Sequence, residues 1–341
     1  IGKMDLNKTD NSSYNDTGYQ MLISSSIVFW TYLILDISST ICSFFLLYQF
    51  ISRRILHRAI NNHTIIAITF SSLGTNLLDV PFSITYAHLC IVWPPTPIVC
   101  VIWWFASNAN FATTNILIAW GSFERHILIF HEKWLSTKKK RWLIHYAPLI
   151  FFMLYPFIFY VAAVFIPSCN DSFIFDYTQP VCGWMPCYAS QIPIVMYDIS
   201  THGILPNIVI AICSIALLIR VVWHKHIRYR QQVKWKKYRK LTIQMLSLSI
   251  VFLIFNLPYL IYVILEYGNI LPTNIDPEIY NYLIILTDFC ILLLPFITLL
   301  SLPSEFWLKK WRHRLASIMR INTVFPSQTV PLAIMLHRRT Q

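Results

Sequence analysis

Three consecutive residues, Glu124-Arg125-His126, set a carboxylate, a guanidinium and an imidazole at the end of a long apolar stretch. An arginine inside a hydrocarbon span is costly and needs a partner, and the adjacent Glu124 can neutralise it. The plainer reading is that Arg125 snorkels to the interface, as arginines near helix ends do. Asp36, Asp79, Asp198 and Asp288 interrupt other apolar stretches. Acids at such depth are functional candidates by default. Beside that stands a structural reading, in which Asp198 and Asp288 hydrogen-bond neighbouring helices while protonated. Enzyme chemistry has no foothold: there is no His-Glu-x-x-His, no Gly-x-Ser-x-Gly and no Asp-rich run. We expect no catalytic residue, no cofactor and no metal. His57, His63, His126, His131, His145, His224 and His226 fall in separate loops and helix ends. That fits interface packing better than metal ligation.

The elements that must position these groups are membrane helices. Of 341 residues, 56% are hydrophobic and only 12% charged, where soluble domains carry about twice that charge. A bilayer core needs about 20 apolar residues in a helix. Seven segments qualify, at about 25–51, 65–93, 98–130, 142–166, 191–222, 241–267 and 279–302. Pro94, Pro95 and Pro97 break the chain after the second, and Pro272 and Pro277 bracket the link from six to seven. The fold expected is an all-α membrane protein, a seven-transmembrane helix bundle with a short amphipathic eighth helix. The bundle occupies 25–302.

Charge orients it. With the amino terminus outside, all but two of the 27 Lys and Arg residues fall on the inner side, and the outer loops hold none. The basic surface therefore meets anionic lipid and cytosolic partners, which removes most of the case for nucleic acid. Sequons agree with this orientation. Asn7, Asn11 and Asn15 head three of them in the amino-terminal 1–24, and Asn170 heads a fourth in the longest outer loop, 167–190. Asn62-His63-Thr64 also fits the pattern but faces the cytosol and should stay unmodified. The chain opens at Ile1 rather than Met, as an incomplete amino terminus would; 1–24 lack a signal-peptide pattern, and a first helix can serve as the insertion signal itself. After the seventh span, Leu308, Trp311, Leu315 and Ile318 recur on one helical face among Lys309, Lys310, Arg312 and Arg314. Residues 303–319 thus read as a helix lying on the membrane surface, with 320–341 a cytoplasmic tail.

Cys100 opens the third span 25 residues before Arg125, about 38 Å along a helix and one tilted crossing. Pro206, Pro258 and Pro295 lie inside spans five, six and seven, and Phe252 precedes Pro258 by one and a half turns. Together with Glu124-Arg125-His126, this resembles the rhodopsin-like (class A) G-protein-coupled receptors over about 25–319. The resemblance implies a receptor in the plasma membrane, activated by an extracellular ligand and coupled to a heterotrimeric G protein. It assigns Glu124, Arg125, His126, Phe252, Pro258 and Pro295 to coupling and switching. It pairs Cys100 with the second outer loop, where the preferred pairing is Cys100–Cys187 with Cys169–Cys182, and Cys182 is a close competitor for Cys100. Cys90 is a fifth outer cysteine. The chain also departs from the family. The Asn-Pro-x-x-Tyr element reads Leu294-Pro295-Phe296-Ile297-Thr298, the helix-six Trp is Asn256, and Ser72 stands where a sodium-binding Asp is usual.

In the family, ligands enter between helices three, five, six and seven. The aminergic Asp position is Ser107 here, and no span holds a Lys for a retinal Schiff base. The acids Asp79, Asp198 and Asp288, with acidic outer loops lacking Lys and Arg, predict an electronegative bowl for a cationic ligand, a basic peptide among them. Trp103, Trp104, Trp184, Tyr188 and Tyr197 read as a membrane-interface belt. The rival readings are a seven-helix transporter or channel, against which the missing repeat and the seven glycines argue, and a non-signalling membrane protein.

Overall fold

An apolar run inside a bilayer must satisfy its backbone polar groups within itself, and for a single segment that means a helix. The computed structural model describes residues 25–57, 59–166, 175–227, 232–268, 270 and 278–301; at 55, 61, 132–133, 221–227, 232–242 and 278 it describes the backbone alone. Seven helical spans result. They are α1 (Ser25–Ser52), α2 (Ile60–Leu78 and, past a break, Val80–Leu89), α3 (Pro97–Phe130), α4 (Lys138–Arg141, Trp142–Tyr146 and Ala147–Phe165), α5 (Ile192–Asp198, Ile199–Ile204 and Leu205–Ile227), α6 (Gln232–Tyr267) and α7 (Glu278–Ser301). The eighth helix, the tail and all four expected glycosylation sites, Asn7, Asn11, Asn15 and Asn170, lie outside the described residues.

Four spans differ from the sequence expectation by more than two residues; among them α4 starts at Lys138 rather than 142 and α5 runs to Ile227 rather than 222. The second span starts earlier and stops sooner: Cys90 turns left-handed at φ 55 just after Leu89, ahead of the prolines. The sixth starts at Gln232 rather than 241, because Lys and Arg are good helix formers and carry the helix beyond its apolar part. Inside α2 the helix breaks at Asp79, two residues before Pro81, whose missing N–H removes a helical bond. Trp142–Tyr146 of α4 and Ile199–Ile204 of α5 are wound as π-helix.

Six of the spans are long and apolar enough to cross a membrane by themselves. The seventh, α3, has 34 residues but carries Ser107, Asn108, Asn110, Thr113, Thr114, Asn115, Glu124 and Arg125. Position explains this. Helix α3 packs on α2, α4, α5 and α6, so most of its surface meets protein rather than lipid. The gradient continues outward: 61% of the membrane window of α2 is buried, against 17% for α4. Polar contacts bind α2 to α3, where Thr114 donates to Ser71 Oγ at 3.0 Å and Ser71 donates to the Asn110 carbonyl at 3.2 Å. Gly74 admits this approach, since a Cβ there would stand 2.6 Å from Asn110 Oδ1.

At one end of the bundle Cys100 is disulfide-bonded to Cys182, not to the preferred Cys187. The reason is placement. Asp176 N bonds the Cys182 carbonyl, Val92 N bonds the Tyr177 carbonyl, and Trp184 stacks on Phe175, which together lay residues 175–184 over the start of α3. Cys187 is disulfide-bonded as well, and Cys169 lies outside the described residues. Cys90 is free and exposed.

Candidate functional site

Glu124 and Arg125 are both buried, at 2% and 1% exposure, in the half of α3 far from Cys100. Burial of a carboxylate demands donors. His145 Nδ1 closes on Glu124 Oε1, and the Thr64 hydroxyl donates to Oε2. Arg125 lies within reach of the Glu124 charge. The atoms that grip the carboxylate nevertheless come from α4 and α2, not from the neighbouring guanidinium that the sequence suggested. The His145 ring is itself held, with Nε2 at 3.0 Å from His63 Nδ1, and His63 Nε2 reaches the His57 carbonyl at 2.8 Å. Three histidines assigned above to separate loops and helix ends are therefore neighbours. No group of three or more His, Cys, Asp or Glu side chains suited to a metal occurs among the described residues.

The rest of this end ties α3 to the helices on its other side. His126 Nε2 donates to the Cys213 carbonyl of α5 at 2.8 Å. Ser122 and Ser249 share a hydrogen bond of 3.0 Å between α3 and α6. Phe252 is fully buried and its ring stacks on Phe111 of α3, 6.4 Å between centroids. Asn256, one turn on, donates to Asn207 Oδ1 at 3.1 Å, joining α6 to α5 just before Pro258. Pro258 and Pro295 lie inside α6 and α7. Asn62, of the sequon expected to stay unmodified, is buried and spends its amide on the Leu56 carbonyl at 3.0 Å.

Pro206 shows how the bundle meets a missing donor. It has no N–H, so the His202 carbonyl four residues back loses its helical partner. Asn115 of α3 supplies the replacement, donating to that carbonyl at 2.6 Å. The π segment Ile199–Ile204 covers the same turn.

Toward the disulfide end the candidate ligand residues divide into two groups. Asp79, Ser107 and Asp288 come together. Trp103 Nε1 donates to Asp79 Oδ1 at 2.8 Å, and Ser107 and Asp288 lie close enough to act on the same carboxyl. Tyr32 of α1 donates to Asp288 Oδ2 at 2.7 Å. Asp198 stands apart, between α4 and α5, with every donor supplied locally. Tyr160 and His202 Nδ1 reach Oδ1 at 2.9 and 2.6 Å, and Tyr188 reaches Oδ2 at 2.8 Å. The aromatic belt expected here is mostly interior. Trp103, Trp184 and Tyr188 are buried, Trp104 sits edge-on to Tyr160, Trp184 and Tyr188, and of the five Tyr197 is exposed. Asp36 of α1 is half-buried and takes no part in either group.

Sequence reasoning missed His63, Thr64 and His145 as holders of Glu124, and Tyr160 and His202 as holders of Asp198. One signal was available for the second set: Asp198 and His202 are four apart and share a helix face. None was available for the first, which spans three helices. A family model described as 7 transmembrane receptor (rhodopsin family) matches residues 43–302. No curated protein matches the chain.

Proposed function

The chain belongs to the rhodopsin family of seven-transmembrane receptors, and on that premise we propose that it couples an extracellular ligand to heterotrimeric G proteins by conformational change. The receptor works at the plasma membrane, with the disulfide end and the amino terminus outside. The observation that carries this reading is the buried Glu124–Arg125 pair, held between α2 and α4 at the end where Arg53, Arg54 and Lys138–Arg141 gather. Release of Arg125 from that packing would present a guanidinium to a cytosolic partner. A two-state shift of this kind needs only a differential free energy of a few kcal/mol.

Constitutive G-protein activation in cells tests it. Glu124→Gln should raise basal activation severalfold and Arg125→Ala should abolish it. Equal activity of both variants with the natural chain, at matched surface expression, sinks the coupling role.

For the ligand we propose a cationic group seated at Asp79, Ser107 and Asp288 rather than at Asp198. Two buried carboxylates close together repel each other when charged, and a cation relieves that repulsion. Asp198 is already surrounded by donors. Against a panel of Lys- and Arg-rich peptides and simple amines, Asp79→Asn and Asp288→Asn should each cost an agonist at least about tenfold in potency, equivalent to about 1.4 kcal/mol. Unchanged potency in both variants removes the pair from the ligand site.

A further inference from the structure

A run of hydrogen bonds connects buried Glu124 to an exposed part of the chain. It begins at the carbonyl of exposed His57, continues through both ring nitrogens of His63, then through both of His145, and ends on Glu124 Oε1. Thr64, next to His63 on α2, closes on the other carboxylate oxygen. His145 belongs to the π segment of α4. The run therefore crosses from α2 to α4 to α3.

Counting protons along it fixes its charge. A carbonyl only accepts, so His63 Nε2 carries a hydrogen. One hydrogen lies between the two rings and one between His145 and Glu124. Three links need three protons, whereas two neutral histidines and an ionised carboxylate bring two. The intact run thus holds one additional proton and has no net charge, wherever between His145 and Glu124 that proton rests. With one proton fewer, two lone pairs face each other at some link. With one more, two N–H groups do.

We infer that His145 and His63 are positioning residues of the coupling end, holding Glu124 and hence α3 against α2 and α4 through a single shared proton. This rests on the proposed role of that end. The other charged and titratable groups around the run are Arg125 beside Glu124 on α3, His57 beyond α2, and Tyr146 on α4, whose ring lies 4.7 Å from His145 and 5.4 Å from His63. Arg141 stands one turn before His145 on α4.

The experiment uses the purified full chain in lipid nanodiscs. Thermal midpoints of the natural chain, His145→Gln and His63→Gln are recorded from about pH 6 to about pH 8.5, around the ordinary histidine range. Glutamine at 145 keeps an amide donor on the side chain but does not titrate. The sign follows from linkage. Relative to the folded His145→Gln, the natural folded run holds one proton more, which a free histidine gives up above about pH 6.5, so the natural chain loses stability relative to the variant as pH rises, by up to about tenfold in the folding equilibrium per pH unit for as long as the folded run keeps the proton. The natural midpoint should fall by about 2–3 °C per pH unit relative to His145→Gln. Superimposable profiles overturn the inference. Should His145→Gln not fold, His63→Gln takes its place, since it breaks the ring-to-ring link, and a profile identical to the natural one again overturns the inference. In parallel, basal G-protein activation is followed while cytosolic pH is clamped. A rise on alkalinisation that His145→Gln lacks supports both the inference and the coupling role. A pH-dependent midpoint with no G-protein response in any variant leaves the shared proton standing and sinks the coupling role.

Discussion

Two carboxylate–histidine pairs stand at opposite halves of the bundle, and both histidines lie in π-wound turns. Asp198 and His202 are four residues apart on one helix. Glu124 and His145 come from two helices, 21 residues apart. The first pair is a terminus: His202 Nε2 is buried and meets no hydrogen-bond partner, and the remaining donors to Asp198 are the neutral hydroxyls of Tyr160 and Tyr188. The second is a junction, because His145 Nε2 passes on to His63 and so to the exposed His57. The same two functional groups therefore do different work. One pair stiffens a single helix beside a proline, and the other joins three helices.

The sharpest way to break this contrast is to delete each histidine. His145→Leu leaves the Glu124 charge buried with Thr64 as its remaining donor, and should cost about 3–5 kcal/mol, read as a large drop in thermal midpoint and surface expression. His202→Leu leaves Asp198 with two tyrosine donors and should cost less than half as much in the same assay. Equal losses would erase the distinction between junction and terminus. Next in size is Asn115→Leu, which strips the His202 carbonyl of the donor that replaces the Pro206 N–H. It should cost about 1–3 kcal/mol by thermal melting, with basal coupling unchanged. The smallest effects belong to the hydroxyls. Tyr188→Phe beside Asp198 and Thr64→Val beside Glu124 should each cost about 1 kcal/mol in stability. They should separate in function, since Thr64→Val also loosens the grip on Glu124 and should raise basal G-protein activation, whereas Tyr188→Phe should not.

Much of the architecture was legible because bilayer thickness fixes span length, and the spans stand within a few residues of where apolarity put them. The exceptions have local causes. Cys90 and the following prolines end α2 early, and the basic stretch extends α6 because helix propensity does not depend on apolarity. The site was legible only where its parts lie close in sequence. Glu124 and Arg125 stood out as charges in an apolar run, and Asp79, Asp198 and Asp288 did so for the same reason. Their holders did not, because His63 and His145 are 82 residues apart and nothing in a histidine's own surroundings names its partner. The disulfide was missed between two cysteines five apart, Cys182 and Cys187, since the choice depends on how the loop folds over α3. Ser107, Asp79 and Asp288 were candidates on separate grounds, and their convergence needed the packing of α1, α2, α3 and α7.

The polarity of α3 bears on how the protein is made. During synthesis a nascent helix leaves the translocon for lipid in proportion to its apolarity, and α3 alone among the seven spans falls short of what a lone helix needs. Its asparagines, serines and threonines are acceptable in the membrane once other helices meet them, and its earliest available partner is α2, through Ser71 and the close approach at Gly74. Insertion of α2 and α3 together, as a hairpin, would meet that requirement, so a constraint usually read from finished structures extends to the order in which the helices are laid down.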